Sequence, residues 1–456
     1  MEKSDLRKLA EFIHNITWND LPDQVQETVV YRVLDLVSVA AGASSDPLMR
    51  RIGKSYSLLS GKGGCHVWGF KETYPLSTAA MLNAMMAHTL ELDDVHPASK
   101  THGNASLIPA AWNCAEFSGK TGKEFLTAVV CGIETVSRIG MALGVSAHRN
   151  RGWHATSTCG VFGCAAACAK LLDLNVDQII SALGMAGTQS CGVWAFLGDG
   201  CSCKILHTGR AAVSGLDAAF LAEAGMTGPE HILEAKDGGL LSAMSDGGDL
   251  QKVSEGLGTV YEILNMDMKP YPCCRSAHSP IDCALELGKR LKPEELLEKI
   301  DRIQVDTYLV GYKQCAVSPS CLHPKSPMEA KFSIPYCVAS AFIYGQVSSK
   351  EFEPEKILRP EVQALMQKVS AAPNSRFTDL YPNHWGCSMK VILKDGTVYS
   401  TEVMDPAGSI ERPLSKDQAV QKAKDLLNTG YGEKSDEIIK SILELPEFKT
   451  MPIFTI

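Results

Sequence analysis

From residue 4 to about residue 265, apolar side chains recur every three to four positions, the rhythm of helices that bury one face. In "LPDQVQETVVYRVLDLVSVAAGA" this rhythm places Val25, Val29, Val33, Leu36, Val37 and Ala40 on one side, after a Pro-Asp start and before a stop near Gly42. The stretches "LSTAAMLNAMMAHTL", "TGKEFLTAVVCGIETVSRIGMAL", "CGVFGCAAACAKLL", "NVDQIISALGMAGTQS" and "GRAAVSGLDAAFLAEAG" read the same way. Their interiors are rich in Ala, Gly, Cys and Met, small or pliable residues that let helix axes approach closely. After about 265 the rhythm changes. "KIDRIQVDTYLVGY" alternates Ile303, Val305 and Thr307 as a strand does, and "SMKVILKDGTVYSTEV" reads as two strands about an Asp395-Gly396 turn. "SPMEAKFSIPYCVASAFIYG" between them reads as one helix, and the tail "SKDQAVQKAKDLLN…SDEIIKSILELPEF" is helical again. The expected fold is mostly α: a large all-helical domain over 1–265, completed by helices in 405–456, and a smaller α+β domain over 266–404.

Length and charge narrow the class. A chain of 456 residues suits two or three domains. Its 44 basic and 52 acidic residues leave a net charge of −8 with no Lys/Arg-rich run, which argues against nucleic acid as the main partner. The start, "MEKSDLRKLAEFIHNITW", reads as an amphipathic helix without the apolar core of a signal peptide, and no run of eighteen apolar residues occurs, so a cytoplasmic protein without a membrane span is expected. The sixteen cysteines do not form C-x-x-C pairs: Cys201 and Cys203 are two apart, Cys273 and Cys274 adjacent, and Cys159, Cys164 and Cys168 share a helix. They read as small buried hydrophobes, with no metal expected.

Four clusters carry candidate chemistry. In "ELDDVHPASKTHGNASLIPAA" a helix expected to end near Asp93-Asp94 leads into a loop with His96 and His102. Carboxylates beside imidazoles drive their pKa values apart, as acid–base chemistry requires, although a solvated turn with Asp94 as a cap fits the same letters. "RGWHATSTCG" sets His154 before a helix, where a structural hydrogen bond is the ordinary role. In "GDGCSCKILHTGRAA", Lys204, His207 and Arg210 fall at helical spacing, so that Lys204 and His207 share a face and form a carboxylate receptor or a surface turn. "MKPYPCCRSAHSPIDCALEL" puts Arg275 and His278 at the mouth of a helix, a place that attracts anions.

These clusters in this order, together with "SPMEAKFSIPY", resemble the MmgE/PrpD family, which includes 2-methylcitrate dehydratase, cis-aconitate decarboxylase and iminodisuccinate epimerase. The resemblance runs over almost the whole chain. It implies a large helical domain with a smaller lid domain, a cleft between them, a homodimer, and no metal or cofactor. It carries a site onto Asp93, Asp94 and His102, His154, Lys204 and His207, and Cys274, Arg275 and His278. The chain departs from the family's methylcitrate dehydratases in its shorter acid loop. It departs from the animal decarboxylases in Val95 for a threonine, Gly103 after His102, Glu91 where an aspartate aligns, and Cys274 where a histidine aligns.

The step shared by these enzymes is proton handling on a carbon next to a carboxylate. His102 and His154 are the acid–base candidates, with Asp93 or Asp94 orienting an imidazole. Lys204 and Arg275 are the cations, Lys204 doubling as a base if desolvated. His96, His207, Cys274, Arg275 and His278 are the expected substrate contacts. The expected activity is that of a cofactor-independent lyase, a decarboxylase or dehydratase of a small di- or tricarboxylate. An epimerase of an iminodisuccinate-like diacid and a non-catalytic carboxylate binder are the alternatives.

Overall fold

The computed structural model describes residues 3–291 and 298–456; Met1, Glu2 and residues 292–297 lie outside it. The chain is mostly helical, with a smaller α+β region. It divides into two compact units, one of Met1–Trp194, Cys203–Asp267 and Ser415–Ile456, the other of Ala195–Ser202 and Met268–Leu414. Residues 195–202 therefore pack with the second unit, and the chain returns to the first at Ser415 rather than at 405.

The first unit is built around the helix Gly160–Leu171, packed by the helices Asn104–Ser118, Gly122–Ala142, Val176–Thr188 and Lys204–Glu223. Small residues permit this crowding. A Cβ on Gly163 would lie 2.9 Å from the Gly132 carbonyl oxygen, and one on Gly132 equally close to the Gly163 oxygen, so two helices cross there at backbone contact. The face predicted for Asp23–Gly42 is the buried one: Val25, Val29, Val33, Leu36, Val37 and Ala40 are all inside. Helix starts follow the cap signals, with boxes at Thr121/Glu124, Asn175/Gln178 and Ser415/Gln418. Gly122–Ala142 is apolar and long enough to cross a membrane, yet it is a core helix, 94% buried over its most apolar stretch and carrying the ion pair Arg138–Glu134. Twelve of the sixteen cysteines are buried and all are free thiols.

Three local expectations change. The helix Leu76–Thr89 stops before the acid pair because Glu91 adopts a left-handed φ of 57°, which no helix continues. The first unit also holds a two-residue antiparallel ladder, β1 (Cys65–His66) with β2 (Thr73–Tyr74). In the second unit, "SPMEAKFSIPYCVASAFIYG" is two helices, Pro327–Lys331 and Ile334–Tyr344, because Ser333 caps the second by accepting from Tyr336 N and Pro335 has no N–H to continue the first. That unit's sheet comprises β3 (Ile300–Thr307), β4 (Val369–Pro373), β5 (Cys387–Leu393) and β6 (Val398–Val403), in the order β4-β3-β5-β6. Strands β5 and β6 are the predicted hairpin, with Gly396 at φ 86° in the turn, whereas β4 pairs parallel to β3. Ile303, Val305 and Thr307 of β3 face its core.

Candidate active site

The acid loop is a rigid irregular segment. Glu91 and Lys100 both hold positive φ, 57° and 53°, conformations that cost a non-glycine residue energy and persist only where the surroundings impose them. Val95 exchanges backbone hydrogen bonds of 3.1 and 2.8 Å with Asp267, and His96 N donates to Thr101 O at 2.9 Å. His96 is the post on which the loop turns: Ser99 N donates to its Nδ1 at 3.2 Å, so its Nε2–H donates to Glu262 at 3.1 Å. Burial would raise the Glu262 carboxyl, but hydrogen bonds from His96 and Asn265 carry it down to about 2. Both ring nitrogens of His96, expected as a substrate contact, are thus engaged, one by Ser99 within the loop and one by Glu262 outside it.

Asp93 lies fully buried between two imidazoles. His88 Nδ1 is 2.7 Å from Asp93 Oδ2, and His102 Nδ1 is 3.4 Å from the same oxygen. His102 Nδ1 is also 2.7 Å from the Asp94 carbonyl oxygen. A carbonyl only accepts, so the His102 proton sits on Nδ1 and the lone pair on Nε2. Burial would raise the Asp93 carboxyl, but the two imidazoles pull it well below the usual range. Asp94 behaves oppositely. Burial pushes its carboxyl up to about 7, with Arg32 opposing and Asp35 and Asp93 adding to the rise, while Asn104 Nδ2 donates to it at 2.6 Å. The adjacent acids are thus split into an ionised orienter and a group titrating near neutrality.

Helix Lys204–Glu223 packs on helix Leu76–Thr89, bringing Lys204 to Glu91 in an ion pair whose side chains are each only 2% exposed. A lysine in the first helical turn opposes the helix dipole, a cost that the Glu91 carboxylate offsets. His207, one turn on, lies with its Nδ1 2.9 Å from that of His154, while Arg210 is exposed. Burial, Lys204 and the neighbouring imidazoles hold His154 well below its ordinary value, and burial, His88 and Lys204 hold His207 at about 4. Both are uncharged at neutral pH. The rings of His102, His88, His154 and His207 form a row with centroid spacings of 5.2, 6.3 and 5.1 Å. Along it, His88 Nε2 and Asp93 Oδ1 are buried with no hydrogen-bond partner among the described residues.

Cys274, Arg275 and His278 belong to the second unit and form a cluster of their own. Arg275 Nη1 donates to His278 Nδ1 and to Ala407 O, both at 2.9 Å. A guanidinium only donates, so His278 carries its proton on Nε2, 3.4 Å from Cys273 O, and acts here as a holder of Arg275. Cys274 is half-buried at the head of this turn, and Lys269, five residues earlier, is fully buried.

Models of the MmgE/PrpD N-terminal and C-terminal domains match residues 7–252 and 271–445. The chain belongs to the MmgE/PrpD family. It is 27% identical to cis-aconitate decarboxylase of Aspergillus terreus over 96% of this chain and 92% of that enzyme. It is 26% identical to the Homo sapiens cis-aconitate decarboxylase over 98% of this chain and 93% of that enzyme. A mitochondrial 2-methylcitrate dehydratase of Yarrowia lipolytica is 24% identical over 53% of this chain and 47% of its own length.

In this MmgE/PrpD protein the residues missed from sequence are His88, Glu91 as the partner of Lys204, Glu262 and Lys269. His88 left one signal, the one ionisable residue of a mostly apolar helix, five residues before Asp93; the burial of Lys269 left none. His88, Asp93 and His102 are also the one donor set among the described residues that would suit a metal ion. In the ion-free arrangement His88 Nδ1 and His102 Nδ1 face Asp93 Oδ2 at 2.7 and 3.4 Å.

Proposed function

We propose that this protein is a cofactor-independent lyase acting on a small tricarboxylate by cis-aconitate-type decarboxylation. The observation that carries the reading is His102: its Nδ1–H is committed to Asp94 O and Asp93, which makes Nε2 the proton-handling nitrogen. The decarboxylases match this chain almost end to end, whereas the dehydratases cover about half to three-fifths of it. In the proposed step the bond from carbon to a carboxylate breaks and CO2 leaves. The electron pair moves into the conjugated alkene-carboxylate, and a proton closes it at carbon, delivered from His102 Nε2 after that nitrogen has taken one up from solvent and become an imidazolium. Lys204 offsets the developing enolate-like charge, and Asp93 stabilises the imidazolium while it carries the proton.

Proton NMR in heavy water tests this, using cis-aconitate, citrate, methylcitrate, itaconate and iminodisuccinate without added metal. Loss of cis-aconitate with release of CO2 and a deuterated five-carbon alkene is the expected result. Interconversion of a hydroxy acid and its alkene would make the protein a dehydratase, and deuterium uptake into iminodisuccinate at constant formula would make it an epimerase. Binding of a tricarboxylate with neither exchange nor turnover would overturn the catalytic reading.

A further inference from the structure

Against the acid loop, on the helix Lys416–Tyr431, Lys422 reaches inward with its side chain only 10% exposed. Its Nζ lies 2.6 Å from Asp35 Oδ1 and donates to the Leu92 carbonyl at 3.1 Å. Asp35 and Arg32 stand one turn apart on the helix Asp23–Gly42, and both are buried. Arg32 Nη2 donates to Met266 O at 2.5 Å, just before the Asp267 that pairs with Val95, and its Nη1 is 4.0 Å from Asp94 Oδ2. That last gap is too long for a direct hydrogen bond, and Arg32 Nε and Nη1, Asp35 Oδ2 and Asp94 Oδ1 are all buried with no hydrogen-bond partner among the described residues.

The peptide from Leu92 to Val95 is therefore gripped at successive points: Leu92 O by Lys422, Asp94 O by His102, Asp94 Oδ2 by Asn104, and Val95 by Asp267. We propose that Lys422, with Asp35 and Arg32, is a positioning device that holds peptide 92–94 where the Asp93 carboxylate and the Asp94 carbonyl set the tautomer of His102. These residues touch neither His102 nor His88 and act through the loop backbone. Charge is part of the device. Asp35, Asp93 and Asp94 face Arg32, Lys422, His88 and His102 in a buried space: burial raises the Asp35 carboxyl against the pull of Lys422 and Arg32, while His88 and His102 hold Asp93 down. The third, Asp94, titrates near neutrality as burial dictates. The reason for a lysine here is local: an apolar residue at 422 would remove the main cation that opposes the burial-driven rise of the Asp35 carboxyl and leave Leu92 O without its donor.

The proposal deepens the catalytic reading but is tested without substrate. Protein labelled with 15N-histidine contains twelve imidazoles; the His102 signals are assigned by their disappearance in His102→Gln. In the wild type, His102 shows a single Nδ1–H tautomer with a slowly exchanging imidazole proton. In Asp35→Asn/Lys422→Met, which removes opposite charges together so that the fold persists, the tautomers average and that proton exchanges at least tenfold faster. Lys422→Arg retains the wild-type signature. Lys422→Gln, which keeps a donor for Leu92 O but no charge, shows an intermediate exchange rate, and it also serves as the test if the double variant unfolds. On cis-aconitate, kcat of the double variant falls about tenfold or more with KM little changed, as expected when a reacting group moves by a fraction of an ångström. An unchanged tautomer and an exchange rate within twofold of wild type in the charge-removed variants would overturn the positioning role. Absence of wild-type turnover would instead strike the catalytic reading and leave the NMR result standing.

Discussion

Replacing Asp93 by asparagine keeps the shape of the side chain and removes the charge shared by His88 and His102. The carboxylate oxygen stands 3.4 Å from His102 Nδ1. A full negative charge at that distance from an imidazolium is worth about 5 kcal/mol at an effective dielectric near 20. The asparagine dipole retains part of this, so about 3–4 kcal/mol of stabilisation is lost when His102 carries a proton, a fall in kcat of roughly 10²- to 10³-fold. Folding loses less. The 2.7 Å bond from His88 becomes neutral rather than charge-assisted, a change of about 1–2 kcal/mol at neutral pH. The sign with pH follows from the depressed Asp93 carboxyl: its contribution is present above the unfolded value near 4 and is lost as pH falls through the lower folded value, so wild type and variant converge in strong acid. The assays are kcat against pH for CO2 release from cis-aconitate, and urea denaturation at pH 7 and pH 3. A variant whose kcat stays within fivefold of wild type, with an unmoved acid limb, would refute the role given to Asp93.

Three further outcomes follow from the same geometry. In Asp94→Asn the group that burial lifts to about 7 is gone. That raised group favours the wild-type fold below pH 4 and loses this as pH rises through 7, so the variant's stability rises relative to wild type by a few kcal/mol between pH 5 and 8, as guanidinium melts across that range would show. A carboxylate about 4 Å from His207 adds roughly 4 kcal/mol, near three pKa units, bringing a group held at about 4 close to 7; tricarboxylate binding then takes up protons and tightens from pH 8 to pH 6, and calorimetry giving identical heats in buffers of different ionisation enthalpy would exclude it. Glu91→Gln removes the carboxylate from the buried Lys204 pair and costs about 3–5 kcal/mol in urea denaturation, whereas a loss below about 1 kcal/mol would show the pair to be dispensable.

Periodicity along the chain, by itself, determined the helical bundle, the β5–β6 hairpin, the helical tail and the short list of polar segments that hold Asp93, His102, His154, Lys204 and His207. These are local properties: a face of apolar residues needs only its neighbours in sequence to declare itself, and caps and turns are written within four residues. Only the tertiary structure decided which polar residues work together. Asp93 was legible as an acid on a loop, but its partner His88 sits on a helix that reads as pure core, because a buried imidazole and a buried apolar side chain occupy the same helical face. His96 and His102 look equivalent in the letters, six residues apart in one loop; Ser99 and Glu262 engage both ring nitrogens of one, whereas the Asp94 carbonyl fixes the Nδ1 proton of the other. Lys422 lies 330 residues from the Leu92 carbonyl it holds. No spacing rule reaches that far, since pairing a buried charge depends on which surfaces the folded helices bring together.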